Sequence, residues 1–193
     1  SVRNFPQLNG FKRAPGIVRL VGHRGARGLM PENTLEGFEY TLDLDVRALE
    51  FDVLISKDNV PIITHDDRLS AAITRNKSGE WLTNNCPKVN ELTLSELKQF
   101  DVGGLDQHSI YGKNYPHQKF LSGVRIPKLS ELLDLVCSQK NKNIYLLLEI
   151  KPTPSQNITN VVRQIVAEIS EKKLFHCTVP VSYTHLRAHE TGP

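Results

Sequence analysis

Glu50 and Asp52 stand two apart in residues 47–55 (RALEFDVLI), a run that alternates in the manner of a β-strand. Side chains at i and i+2 of a strand leave from one face, so both carboxylates point the same way. Carboxylates crowded together repel and lose solvation unless a cation lies between them. Oxygen ligation suits Mg²⁺ or Ca²⁺ rather than zinc. Glu149 closes a second, nearly all-apolar run at 144–150 (IYLLLEI) and is the third candidate ligand for one divalent cation. Two plainer readings stand beside this one. The i, i+2 spacing equally suits the solvent-facing half of an alternating strand, and Lys151 offers Glu149 a purely structural ion pair.

His23 and His65 each follow a short apolar run. A lone histidine at a strand end is ordinarily a hydrogen-bonded loop or core residue. Two of them beside an acidic cluster and Arg24 are better explained as a general acid and a general base, because imidazole titrates near neutrality. Arg24 supplies a planar fork that matches phosphate oxygens. A cation with a guanidinium stabilises phosphoryl charge while two histidines move protons, and that combination suits phosphodiester chemistry. The remaining histidines carry less. His108 and His117 fall in a polar stretch and are expected at the surface. His185 and His189 have the i, i+4 spacing of helical metal ligands but lack the glutamate of an HExxH pattern.

The elements that must position these groups are legible in outline. Residues 17–22 (IVRLVG) form a short β-rich run ending at His23, and 60–64 (VPIIT) another ending at His65-Asp66. Asn33 or Thr34 caps a helix with Leu35, Phe38, Leu42 and Leu44 on its apolar face. Residues 68–124 are polar, with one capped amphipathic segment at 93–100, and read as an insertion on one face of the scaffold. A Leu-rich helix follows at 130–137, then the strand 144–150, doubly covered as its apolarity implies. A strongly amphipathic helix covers 157–172, with Ile158, Val161, Val162, Ile165, Val166 and Ile169 as its apolar residues, and 177–181 begins a fifth strand. Strands and helices in this order predict a parallel α/β architecture. Polar residues end every strand and no glycine-rich phosphate loop is present, which favours a (β/α) barrel over a doubly wound sheet.

Composition narrows the rest. The 193 residues are enough for a single domain with one sizeable core. A net charge of +3, with Lys and Arg scattered, gives no footprint for nucleic acid. No apolar run approaches the ~18 residues of a membrane-spanning helix, so no stable membrane insertion is expected. Cys86, Cys137 and Cys177 form neither a zinc pattern nor a disulfide framework and read as small buried or semi-exposed side chains. Oligomeric state stays open, and cytoplasm, periplasm and secretion are all compatible with the sequence.

The set Gly22-His23-Arg24-Gly25, Pro31-Glu32-Asn33-Thr34, Glu50-Phe51-Asp52 and His65-Asp66 resembles the glycerophosphodiester phosphodiesterase family. Leu148-Glu149-Ile150-Lys151 resembles its later metal-binding strand, and the match runs in order from about residue 18 to 172. The resemblance implies a TIM-like barrel of the phospholipase-C-like phosphodiesterase type, with an insertion after the third strand. It implies that Glu50, Asp52 and Glu149 bind the metal, that His23 and His65 act as acid and base, and that Arg24 and Lys151 contact phosphate. The implied substrate is a small glycerophosphodiester, cleaved to glycerol 3-phosphate and an alcohol such as choline or ethanolamine. In the family the glycerol hydroxyl attacks phosphorus through a cyclic intermediate.

The family barrel needs ~250 residues. About five of eight strands are expected here, in a partial barrel domain over 1–180 with the insertion at about 68–124. Residues 181–193 (VSYTHLRAHETGP) do not continue the pattern and read as a non-native tail. Two other readings remain: a barrel phosphodiesterase of the phosphatidylinositol phospholipase C or sphingomyelinase D type, and an inactive, truncated metal-binding fragment.

Overall fold

The computed structural model describes residues 20–83, 85–139, 143–151 and 157–181. The start of the expected first strand at 17–19, and His185 and His189 with the rest of the 182–193 segment, lie outside the described residues. Five strands form one sheet: β1 (Gly22–His23), β2 (Ala48–Ile55), β3 (Pro61–Ile63), β4 (Tyr145–Ile150) and β5 (Thr178–Val181). β1, β2, β4 and β5 are parallel and adjacent in that order.

β3 departs from the expected parallel succession. It pairs antiparallel with β2, with Val53 opposite Ile63 and Ile55 opposite Pro61. The reason is a tight turn between them, too short for the crossover that parallel strands require. Ser56 Oγ accepts from Val60 N at 3.0 Å, Ser56 N donates to Val60 O at 3.0 Å, and Asn59 takes the left-handed conformation at φ 61°. Asn tolerates that conformation better than most side chains. β4 already occupies one edge of β2 over residues 48–53, so β1 and β3 share the other edge, end to end.

The sheet's two faces have different covers. Leu49, Phe51, Val53, Leu146 and Leu148 pack against α1 (Leu35–Asp43), α4 (Leu129–Ser138) and α5 (Ile158–Glu171) in the main core. Toward the end of β2, Leu54 and Ile62 on the opposite face join Leu69, Val89, Leu97, Val102, Val124 and Ile126 in a second core. The segment read as a polar insertion therefore carries its own apolar residues and seats them on the sheet. Its helices are short: α2 (Leu94–Leu97), with a reciprocal capping box between Thr93 and Glu96, and α3 (Ile110–Lys113).

Double cover explains why every residue of β2 is buried, although its sequence alternates. The alternation separates an apolar face from one carrying Glu50 and Asp52, rather than core from solvent. Leu44, expected on the apolar face of α1, instead follows the helix and is exposed. On α5, Val161, Ile165 and Ile169 are buried, whereas Ile158, Val162 and Val166 form a second strip that is open.

Candidate active site

Strand register does most of the assembly. His23 is the partner of Glu50 across β1 and β2, and Asp52 is the partner of Glu149 across β2 and β4. Partnered residues of parallel strands project from the same face, so His23, Glu50, Asp52 and Glu149 leave the sheet together. The three carboxylates place oxygen atoms within 4.8 Å of one another, and all three residues are buried. The solvent-facing reading of Glu50 and Asp52 is thereby removed, since Asp52 is 1% exposed.

His65 reaches the same place by a different route. Because β3 runs back along β2, Thr64 N donates to Asp52 O at 3.1 Å, and His65 follows immediately. A parallel β3 would have ended elsewhere. The His65 Nδ1 is hydrogen-bonded to Asp66 Oδ1 at 2.6 Å, and this bond holds Asp66 below the usual carboxylate range. Nε2 of His65 is the ring nitrogen that this bond leaves unengaged.

Arg24 stands in the left-handed region at φ 52°, followed by Gly25 at φ 81°. A Cβ at Gly25 would lie 3.1 Å from the Gly37 carbonyl carbon, so the turn packs directly against α1. This backbone turns the Arg24 N–H onto Glu50 Oε2 at 2.9 Å. The guanidinium is mostly buried, with Nη1 on Glu32 Oε1 at 3.0 Å and Nε 3.5 Å from Asp52 Oδ2. Burial opposes its charge, but Glu32 and Asp52 outweigh burial and raise its pKa. Nη2 remains for a ligand, among the described residues, so the fork is already partly engaged by the protein. Lys151 Nζ lies 3.3 Å from Asp52 Oδ1 and 3.6 Å from Glu149 Oε1. The structural ion pair foreseen for Lys151 is thus present and extends to a second carboxylate.

Four residues, Asn33, Glu32, Tyr111 and Asp66, were given no role in the site from the sequence. Thr34 caps α1 through Gly37 N at 3.1 Å, which leaves Asn33 free to donate from Nδ2 to Asp52 Oδ2 at 3.1 Å. Glu32, 8% exposed, bonds both Arg24 and the hydroxyl of Tyr111 from the insertion. Asp66 is the partner of His65. The Pro-Glu-Asn-Thr run signalled the first two; nothing local signalled Tyr111, 79 positions from Glu32. His108 and His117 are exposed as expected. Cys86 is half-buried, Cys137 exposed and Cys177 buried, all as free thiols.

Charge balance tests whether a cation fits. Glu32, Glu50, Asp52 and Glu149 are four buried carboxylates, faced by two permanent cations, Arg24 and Lys151. The difference is the charge of one divalent ion. Burial first, then the Asp52 charge, pushes Glu50 up to about 7. Burial also raises Glu149. Asp52 Oδ1 is buried and accepts no hydrogen bond. The residues fit a divalent cation held by oxygen.

A mainly parallel α/β sheet that gathers an acidic cluster, two histidines and an arginine at its strand ends has the layout of a (β/α)-barrel site. The family model for the glycerophosphoryl diester phosphodiesterase family matches residues 23–178, and the chain belongs to that family. A Bacillus subtilis (strain 168) protein, YhdW, assigned to the glycerophosphodiester phosphodiesterases, is 33% identical over 152 residues, covering 78% of this chain and 52% of its own. Among solved structures, a Silicibacter pomeroyi DSS-3 protein assigned to the glycerophosphoryl diester phosphodiesterases superposes with a TM-score of 0.87 at 45% identity. That match covers 92% of this chain and 61% of the other. An Oleispira antarctica phosphodiesterase, solved with the product sn-glycerol-3-phosphate, superposes with a TM-score of 0.57 at 26% identity, covering 90% of this chain and 62% of its own. The chain thus spans about half the length of YhdW and three fifths of these structures. The structural neighbours are TIM-barrel enzymes, and the described strands form an open part of such a barrel. No helix among the described residues is long and apolar enough to cross a membrane.

Proposed function

We propose that this chain carries the active site of a metal-dependent glycerophosphodiester phosphodiesterase, which releases glycerol 3-phosphate and an alcohol. The observation that carries the reading is the register-built cluster of Glu50, Asp52 and Glu149 beside His23. Glu50, Asp52 and Glu149 would hold one Mg²⁺ or Ca²⁺. When bound, such an ion balances the carboxylates and polarises a phosphoryl oxygen. Arg24 presents Nη2 toward phosphate, with Glu32 and Asp52 fixing the plane of its guanidinium. Lys151 adds a second positive charge against the phosphate oxygens. His23 and His65 exchange protons with the attacking hydroxyl and the leaving oxygen. Asp66 fixes the imidazole of His65 by its bond to Nδ1, so that Nε2 faces the reaction. The glycerophosphodiester assignment draws on family membership and on the Oleispira antarctica relative with bound product.

The test is release of glycerol 3-phosphate from glycerophosphocholine by the metal-loaded protein. EDTA should abolish release and added Mg²⁺ or Ca²⁺ restore it, and His23→Ala should reduce kcat by about 100-fold or more. Cleavage that persists in EDTA would remove the ligand assignment of the three carboxylates. Undiminished activity in His23→Ala would remove its proton-transfer role.

A further inference from the structure

A groove of about 380 Å³ lies between the turn after β1 and the insertion, and its walls include His23, Arg27, Leu29 and Tyr115. The insertion pins the loop that forms its floor. Gln118 Nε2 donates to Arg27 O at 2.7 Å, and Lys119 N to Leu29 O at 2.9 Å. The Arg27 guanidinium lies over the Tyr115 ring, 5.1 Å from its centre, and Tyr115 meets Tyr111 edge-on at 5.2 Å. Arg27 is half-buried. The other arginines withdrawn from solvent among the described residues face carboxylates: Arg24 meets Glu32, and Arg75 meets Asp101. Arg27 has no carboxylate partner among the described residues.

A guanidinium held partly out of water without a counter-charge favours an anion, and its planar fork matches carboxylate or phosphate. It also covers the Tyr115 face on which a quaternary ammonium would otherwise stack. We propose that this groove receives one arm of the diester and selects substrates whose alcohol carries an additional anionic group. The inference rests on the phosphodiesterase reading above, because His23 belongs to both the groove and the site.

Glycerophosphoserine and glycerophosphoethanolamine differ by a single carboxylate and therefore isolate the Arg27 contribution. On metal-loaded protein, kcat/KM for the serine diester should exceed that for the ethanolamine diester by about tenfold. Arg27→Gln should bring that ratio close to one and Arg27→Lys should retain part of it, while Lys77→Gln, at an exposed site in the insertion, should leave it unchanged. Calorimetric dissociation constants for the same two diesters report on the groove independently of turnover. If neither diester is cleaved but the serine diester binds more tightly in an Arg27-dependent way, the hydrolase reading fails and the groove assignment stands. Equal values for the two diesters, or a ratio unaltered in Arg27→Gln, would overturn the assignment, as would failure of both to bind.

Discussion

Glu50 is the site carboxylate least compensated by its surroundings. It accepts from the Arg24 backbone N–H at 2.9 Å and sits 3.6 Å from His23 Nε2, whereas Asp52 and Glu149 share the Lys151 ammonium. Burial and the neighbouring Asp52 charge raise its pKa to about 7. Under the proposed function the same side chain is a cation ligand, and in the metal-free fold it is a cost. Glu50→Gln should weaken divalent-cation binding by at least about 100-fold, beyond what loss of an outer-shell partner produces. In EDTA at pH 8 the same variant should be more stable by about 1–3 kcal/mol, since an uncompensated buried charge has been removed. Cation titration and denaturant unfolding of the two proteins check both halves. A loss of stability in EDTA would mean that Glu50 is held by favourable ion pairing instead. That Glu50 would share a face with Asp52 was legible from their i, i+2 relation. That it would be the weakly compensated one was not, because compensation comes from Arg24 and Lys151 on other strands' ends.

At the scale of elements, the sequence marked where strands and helices lie better than how they pair. The runs around 47–55 and 144–150 were apolar enough to be recognised, and their parallel pairing places Asp52 beside Glu149. The run at 60–64 was equally visible, yet its direction depended on the Ser56–Val60 turn, a matter of a few hydrogen bonds and one left-handed Asn59. Asn33 and Thr34 were interchangeable caps on paper. The fold separates them, because an asparagine in the left-handed conformation reaches Asp52 while Thr34 closes the helix. The insertion read as polar since its apolar residues are dispersed, but it delivers Tyr111 to Glu32 and through Glu32 acts on Arg24. Tyr111→Phe removes the hydroxyl that bonds a buried carboxylate, a loss of about 1–3 kcal/mol in local interaction. Arg24 is then less firmly oriented, so KM should rise by about three- to tenfold with a smaller change in kcat. Steady-state kinetics with a thermal melt distinguishes the outcomes. A lower melting temperature with KM unaltered would make Tyr111 a packing residue only.

Across the whole molecule the buried charges set how stability answers to pH and to a cation. Glu50 has an ordinary value near 4.5 and a folded value of about 7. Between those values the native state binds more protons than the unfolded chain, so stability falls as pH rises through that window and levels off above it. Glu149 is raised by burial and acts in the same direction. Asp66, held down by its bond to His65, acts oppositely: its contribution is present above the ordinary carboxylate range and disappears as pH falls below it. The metal-free protein should therefore be most stable in mildly acid solution and lose stability toward pH 8. A divalent cation requires the ionised carboxylates, so its binding strengthens over the same interval in which the metal-free fold weakens. At about 100 times its dissociation constant, the ion adds about 2.7 kcal/mol, comparable to the ~3 kcal/mol that a shift of this size in Glu50 represents. Melting curves from pH 5 to 8 should slope downward in EDTA and become flat or rise with saturating Mg²⁺ or Ca²⁺. An upward slope in EDTA with no response to either ion would mean that Arg24 and Lys151 already neutralise the cluster and that its carboxylates are structural.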